Sequence, residues 1–181
     1  MRVTEQRASA EGFEELAMPL FDQLYNLARW LTQDTAEAED LVQETYAKGL
    51  RGFSSFQLGT NFRAWMYRIL RNSFLSSRTG LRTMVVLDGE NDDALLPAQH
   101  VTPESLLLEQ ADRDTVQQLL ADLPVPFREI LLLCEVEEMS YQEIAETLSI
   151  PIGTVMSRLS RARKALRELL SEKLKGAPHG L

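Results

Sequence analysis

The sequence predicts an all-α protein of two small helical domains joined by a flexible linker, the second domain being a helix-turn-helix domain. Apolar residues recur at helical spacing along most of the chain, and no run of alternating apolar and polar residues predicts a strand. Between residues 79 and 103 this pattern fails in an acidic stretch with glycine and proline, which is typical of a linker. The 181 residues are enough for two such domains.

Local sequence signals place the elements of both domains. The predicted domains span residues 12–78 and 104–172, with an N-terminal tail of residues 1–11 and a C-terminal tail of residues 173–181. In the first domain Pro19 interrupts a helical run, and Asp34 and Asn61 are suited to cap the two following helices. In the second, Thr102 is suited to cap a helix, and an apolar helix from Pro126 is expected at the domain centre.

Each of the two capped helices has a predicted inward face. After Asp34 this face consists of Ala38, Leu41, Val42, Thr45 and Gly49. After Asn61 it consists of Phe62, Trp65, Met66, Ile69, Leu70 and Ser73.

The net charge of −8 conceals two basic islands. Residues 61–82 and 154–181 each carry +5, whereas residues 1–60 carry −5 and residues 83–153 carry −13. An acidic protein with two concentrated basic segments can offer two contact places to a polyanion while repelling it elsewhere. A basic segment alone is equally typical of a solvated helix face, so the residues on each island decide between these interpretations.

Several classes of protein are disfavoured by composition. The single Cys134 excludes an internal disulfide, and with only two histidines beside it a zinc site is not expected. No apolar run approaches the roughly 20 residues that span a bilayer, and no secretion signal is present at the N-terminus, so a cytoplasmic protein is expected. No nucleophile–base pair, metal cluster or glycine-rich phosphate loop indicates an enzyme or a cofactor.

The segment from Ser140 to Leu170 predicts a helix-turn-helix. Ser140 and Glu143 match a capping box, Pro151 ends the first helix, and Thr154 is suited to cap the second. The predicted inner face of the second helix is Val155, Leu159, Ala162, Leu166 and Leu169. In such a fold the second helix enters the major groove of DNA. The candidate DNA-facing residues are Thr154, Ser157, Arg158 and Arg161, with Arg163 and Lys164 beside them. The alternative is an ordinary helical hairpin with a basic, solvated face.

The helix after Asn61 interleaves arginines with aromatic residues. Arg63, Tyr67 and Arg71 share one stripe, Arg68 lies on an adjoining one, and Trp65 is close by. Single-stranded nucleic acid needs this combination, because bases stack on rings while arginines follow the backbone. The alternative is that the aromatic residues only fill the core.

Three segments together resemble one bacterial family. Residues 34–45 and 59–70 resemble region 2, and residues 150–159 resemble region 4, of sigma factors of the extracytoplasmic-function group. The chain looks closest to the subgroup that responds to thiol-oxidative stress. The resemblance implies a factor that binds core RNA polymerase, recognises the −10 and −35 promoter elements and helps to melt DNA at a stress regulon.

The resemblance also implies roles for particular residues. Those that match the polymerase-docking face are Asp40, Gln43 and Glu44. Those that match −10 element contacts are Gly59, Thr60, Asn61, Arg63, Trp65, Tyr67, Arg68 and Arg71. Those that match −35 element contacts are Thr154, Ser157, Arg158, Arg161, Arg163 and Lys164. The implied partners are the β′ clamp and β flap of core polymerase, promoter DNA, and an anti-sigma factor that binds an otherwise monomeric protein 1:1.

Two other functions fit parts of the sequence. A dimeric helix-turn-helix repressor or activator would bind a symmetric DNA site and have no affinity for core polymerase. A helical scaffold that binds only proteins would have no promoter-dependent effect on transcription.

Overall fold

A computed structural model describes residues 2–78 and 113–176, and over these ranges the secondary structure is helical without a strand. The chain divides into two compact units, one formed mainly by the N-terminal helices and the other mainly by the C-terminal helices. The predicted linker of residues 79–103, the predicted cap at Thr102 and residues 177–181 lie outside the described ranges.

Four α-helices form the described N-terminal part of the chain. They are α1 (Arg2–Ala17), α2 (Phe21–Thr32), α3 (Thr35–Gly52) and α4 (Phe62–Ser77), with short 3-10 turns at Met18–Leu20 and Phe53–Ser55. Helix α3 packs against α2 and α4. Pro19 lies in the turn between α1 and α2, as predicted. The segment predicted as an N-terminal tail is helical from Arg2.

The caps and the inward face of α3 are confirmed. Asp34 Oδ1 accepts a hydrogen bond from the Glu37 amide at 2.9 Å, and Asn61 Oδ1 accepts one from the Ala64 amide at 3.0 Å. All five residues predicted to face inward from α3 are buried. Because each cap satisfies an amide that lacks a partner within its helix, the start of each helix is well defined.

The inward face of α4 differs from the prediction. Tyr67 and Phe74 are buried, whereas Phe62, Trp65 and Ile69 are only half-buried. Apolar residues surround this helix on most sides, and it contacts both α2 and α3, so helical spacing alone does not select its buried face. Met66, Leu70 and Ser73 are buried as predicted.

The described C-terminal part contains four further α-helices. They are α5 (Arg113–Asp122), α6 (Val125–Leu131), α7 (Tyr141–Leu148) and α8 (Ile152–Gly176), and a π-helical turn at Leu132–Val136 continues α6. Helices α5 and α6 pack against α8. Ile130 and Leu132 are almost completely buried, which agrees with the central position predicted for this apolar element.

Helix α8 is longer than predicted at both ends. It begins at Ile152 and continues to Gly176, so residues 173–176 of the predicted C-terminal tail are helical. The Val155 amide donates to the Pro151 carbonyl at 3.1 Å, which places Thr154 inside the first turn and makes its prediction as a cap wrong. The inward face ends on Leu170, because Leu169 is only half-buried.

No helix in the described residues is both long enough and apolar enough to cross a membrane. No group of three or more His, Cys, Asp or Glu side chains there could hold a metal ion.

Candidate nucleic-acid interface

The exposed face of α3 borders an acidic groove. Asp40, Gln43 and Glu44 are all exposed, and Asp40 and Glu44 lie one helical turn apart. The groove has a volume of about 410 Å³ and is lined by Thr32, Glu37, Asp40, Leu41, Glu44, Phe74, Ser77 and Arg78. Gln43 lies outside this lining, so the structure brings together two of the three predicted docking residues at the groove.

The loop before α4 is a tight, internally bonded turn. Both the amide and the hydroxyl of Thr60 donate to the Gln57 carbonyl, at 3.2 and 2.7 Å. Gly59 has a φ of +91°, a backbone conformation that favours glycine. The exposed loop ends on Asn61, whose Oδ1 caps α4 and whose Nδ2 donates to Glu143 Oε1 at 3.0 Å.

An aromatic cluster lies beside this loop. The ring of Trp65 lies 5.0 Å from that of Phe56 and 5.5 Å from that of Phe62, measured between centroids. Trp65 is half-buried, so part of its ring remains accessible while the rest packs in the cluster. Aromatic contacts of this kind fix the orientation of a ring on which a base could stack.

The arginines predicted to contact DNA differ in their surroundings. Arg63, Arg68 and Arg71 are half-buried along α4. The Arg63 guanidinium carbon lies 5.6 Å from the centroid of the Tyr67 ring. Tyr67 itself has no exposed surface, so the prediction that it contacts DNA is corrected. Its buried ring packs beneath the Arg63 guanidinium, so it supports this arginine from within the core.

The exposed face of α8 carries three of the six predicted −35 contact residues. Ser157, Arg161 and Lys164 are exposed, whereas Thr154 and Arg158 are half-buried at the side of the helix. The Ser157 hydroxyl donates to the Thr154 carbonyl at 3.2 Å. The same face includes Gly153, around which no other atom would approach an added Cβ within 4 Å, so another molecule could come close there.

Arg163 has a different environment from the other basic residues of α8. Its Nη2 lies 2.7 Å from Glu135 Oε1 and 3.8 Å from Cys134 Sγ, and only 24% of its side chain is exposed. This side chain therefore ties α8 to the turn that follows α6. The structure does not group Arg163 with the exposed residues predicted to contact DNA.

Three exposed side chains at these surfaces were not among the residues predicted from the sequence. Leu58 is 74% exposed at the turn before α4, and Met156 and Ser160 lie on the outer side of α8. For Leu58 the sequence contains a signal of exposure, because this apolar residue stands next to a glycine in a polar turn. Nothing in the spacing distinguished Met156 and Ser160 from other residues of α8.

Comparisons with known proteins match both halves of the chain. The Sigma-70 region 2 family matches residues 16–82, and the Sigma-70 region 4 family matches residues 113–166. The RNA polymerase sigma-H factor of Pseudomonas aeruginosa is 31% identical over 181 residues, covering 95% of this chain and 93% of its own. The chain belongs to the extracytoplasmic-function group of RNA polymerase sigma factors.

Further relatives agree with this sigma-factor assignment. The extracytoplasmic-function sigma factor SigE of Mycolicibacterium smegmatis is 36% identical over 171 residues, which cover 93% of this chain but 65% of that protein's length. A solved structure of the sigma factor RpoE of Bartonella quintana, in complex with the anti-sigma factor NepR, has a TM-score of 0.68 and 33% identity. That match covers 89% of this chain and 98% of the other.

Cys134, in region 4 of this sigma factor, has a thiol with a raised pKa. Burial and the neighbouring Glu135 carboxylate raise the pKa of its thiol from 9.0 to about 11, while Arg163 opposes the shift. Because the thiolate is the reactive form, the folded protein holds this cysteine in an unreactive state. Stability should fall as pH rises from about 9 to about 11, since the unfolded chain loses the proton first.

We expect iodoacetamide to alkylate Cys134 about a hundredfold more slowly in the folded protein than in the denatured chain at pH 8, since the thiolate fraction differs by that factor. The rate can be followed by mass spectrometry, with the same reaction in concentrated urea as the control. Equal rates in the two states would show that the thiol is accessible and normally acidic.

Proposed function

We propose that this protein binds core RNA polymerase, recognises the −10 and −35 elements of promoters, and helps to open the DNA duplex for transcription of a stress regulon. It acts in the cytoplasm without catalytic chemistry of its own. The observation that most supports this proposal is the arrangement of the N-terminal unit. The packed N-terminal helices present an acidic groove along α3 together with an internally hydrogen-bonded loop and an arginine-bearing helix α4.

The proposed −10 contacts combine three features of that unit. The turn of Gly59 and Thr60 holds exposed backbone and side-chain groups that can surround an unstacked base. The accessible part of the Trp65 ring provides a stacking surface. Arg63, Arg68 and Arg71 follow along α4, where their guanidinium groups can contact the backbone of the separated strand.

The proposed −35 contacts come from α8. Exposed Ser157, Arg161 and Lys164 suit contacts with base edges and phosphates in the major groove. Thr154 and Arg158 lie at the side of this face, where their side chains could contact a phosphate that borders the major groove. Arg163 is left out of the proposed contacts, because its pairing with Glu135 commits it to the region 4 core.

We also propose that an anti-sigma factor binds the free protein 1:1. The Bartonella quintana RpoE, 33% identical to this chain, was solved in complex with the anti-sigma factor NepR. The raised pKa of Cys134 makes this chain a poor redox sensor, so thiol chemistry that controls the complex would belong to the partner.

Run-off transcription with bacterial core RNA polymerase tests the proposal. We expect promoter-dependent transcripts only when both the protein and core enzyme are present. A dimeric repressor would give no transcripts and would bind a palindromic site alone, and a protein-binding scaffold would change neither measurement.

Replacing Asp40 and Glu44 together by Ala should weaken binding to core polymerase about tenfold or more, because charged pairs at an interface lose their partner. Neither residue is buried, so the fold should persist. Biolayer interferometry with immobilised core enzyme measures the change. The control is Glu14→Ala with Glu15→Ala, which removes the same charge from exposed positions on α1. Equal binding by both double variants would reject this docking surface.

Arg68→Ala combined with Arg71→Ala should leave holoenzyme assembly intact and slow promoter opening about tenfold or more, as expected when arginine contacts to a separated strand are lost. A promoter template with a pre-formed bubble should restore much of the activity. Lys173→Ala with Lys175→Ala, at exposed positions near the end of α8, removes the same charge as a control. Equal loss on duplex and bubble templates would assign these arginines to general phosphate binding instead.

A further inference from the structure

The outer face of α8 has an apolar edge. Ile152 is 47% exposed and Met156 is 39% exposed, and both lie in the first two turns of the helix. They are four positions apart, so they share one side of the helix. Met156 is also next in sequence to Ser157, one of the proposed −35 contact residues. The apolar edge therefore adjoins the face that is proposed to enter the major groove.

The opposite edge of this face is basic, with Arg161 exposed and Arg158 half-buried. Helical spacing places three small, exposed residues between the two edges: Gly153, Ser157 and Ser160. No other atom would approach a Cβ added to Gly153 within 4 Å, and small side chains let the helix backbone come close to a partner. A partner that approaches this face thus meets apolar surface on one side and positive charge on the other.

The major groove of DNA offers a contact for each edge. Phosphates border the groove, and among the hydrogen-bonding base edges on its floor the C5-methyl group of thymine is the apolar feature. A recognition helix contacts base edges with its N-terminal residues, and Ile152 and Met156 lie at that end of α8. An unbranched, polarisable methionine side chain can adapt its shape to a methyl group. The adjoining positive charge favours this polyanion over an apolar protein surface.

We infer that Met156 contacts the C5-methyl group of a thymine in the −35 element, so that one A·T pair of that element is preferred. The inference rests on the proposed function, since it takes α8 as the helix that reads the −35 element. Ile152 extends the apolar edge towards the start of the helix and helps to exclude water from the contact. Met156 is then a specificity-determining residue, because contacts to phosphates carry no direct sequence information whereas the methyl group distinguishes thymine from the other bases.

The probes are promoter duplexes that the holoenzyme selects from a library with a randomised −35 region. We expect at least one A·T pair to be enriched there. Each thymine of the selected element is then replaced singly by uracil, which pairs identically but lacks the methyl group. One such replacement should weaken holoenzyme binding about fourfold, the loss expected when a single methyl group is no longer buried. Uracil placed between the two promoter elements is the control and should change nothing.

Variants of the full chain assign the effect to one side chain. Met156→Ala holoenzyme should bind the thymine and uracil duplexes equally, because the side chain that contacts the methyl group is gone. Met156→Leu should keep most of the difference, since leucine also presents apolar surface. Leu174→Ala, at a 59% exposed position near the end of α8, is the matched control and should discriminate like the parent. Thermal melts by circular dichroism check that each variant is folded.

The inference is overturned if the selected −35 element contains no A·T pair, or if the parent holoenzyme is insensitive to every methyl group in it. It is also overturned if Met156→Ala still discriminates between thymine and uracil as the parent does. Scrambling the selected −35 sequence separates these results from failure of the proposed function. If scrambling weakens binding strongly, recognition of the −35 element stands without the methyl contact, and if scrambling has no effect, both are rejected.

Discussion

Replacing Arg128 by Met should destabilise the C-terminal helices by about 3 kcal/mol, because several buried carbonyls would lose a charged hydrogen-bond donor. Only 8% of Arg128 is exposed. Its Nε donates to the Leu120 carbonyl at 2.7 Å, and its Nη2 donates to the carbonyls of Ala121 and Leu123 at 2.7 and 3.2 Å. These carbonyls lie at and just after the end of α5, where the helix no longer supplies its regular amide partners, although the Leu123 amide also donates to the Leu120 carbonyl at 3.3 Å. The positive charge is also favourable at a helix C-terminus.

The location of the two tryptophans allows this effect to be assigned to one part of the molecule. The chain contains only Trp30 and Trp65, both among the N-terminal helices. Arg128→Met should therefore lower the melting temperature seen by far-ultraviolet circular dichroism and leave the tryptophan fluorescence transition nearly unchanged.

The control for Arg128→Met is Lys173→Met, a substitution at an exposed position of α8 that should change stability by no more than about 0.5 kcal/mol. Arg128→Lys should recover only part of the loss, because one ammonium group cannot reach three carbonyls in the geometry of a guanidinium. Parent-like melting of Arg128→Met would show that the carbonyls find other donors.

The sequence predicted α3 well because its signals are local and agree with one another. Asp34 is suited to cap the helix, and the residues after it separate into a polar face and an apolar face. Only the apolar face can pack against the core, so the orientation of the helix is determined. The same applies to the cap at Asn61. The face of α3 that borders the groove could be predicted, but the pairing of Glu37 with Arg78 could not, since it joins residues 41 positions apart.

Other features depend on tertiary structure that no local pattern contains. Tyr67 was predicted on the surface because it shares a helical stripe with the basic residues Arg63 and Arg71, yet tertiary packing buries it completely. An arginine in an apolar segment is expected to be exposed, and Arg128 is buried because the end of α5 supplies acceptors. The π-helical turn at Leu132–Val136 likewise has no signal in the sequence.

The free protein should bind its promoter with a dissociation constant in the micromolar range or weaker at physiological salt, typical of largely non-specific contacts. Residues 104–181 carry nine basic and thirteen acidic residues, although α8 is basic. Each phosphate contact adds to the affinity for DNA and contributes about 0.9 to the slope of log affinity against log salt concentration. A domain with few available cations makes few such contacts and therefore gains little affinity from them. Pairing of Arg163 with Glu135 removes one further cation from those available.

Core polymerase should tighten promoter binding about a hundredfold or more, because it holds both DNA-reading surfaces at once and makes the second contact intramolecular. A fluorescence anisotropy titration of promoter DNA with the full-length protein, with and without core enzyme, measures the difference. Scrambled −10 and −35 sequences provide the specificity control, and Arg161→Ala should reduce holoenzyme binding through the loss of an exposed cation on α8. Tight, sequence-specific binding by the free protein, especially as a dimer on a palindrome, would instead favour a conventional helix-turn-helix repressor, since that class carries its full DNA affinity without polymerase.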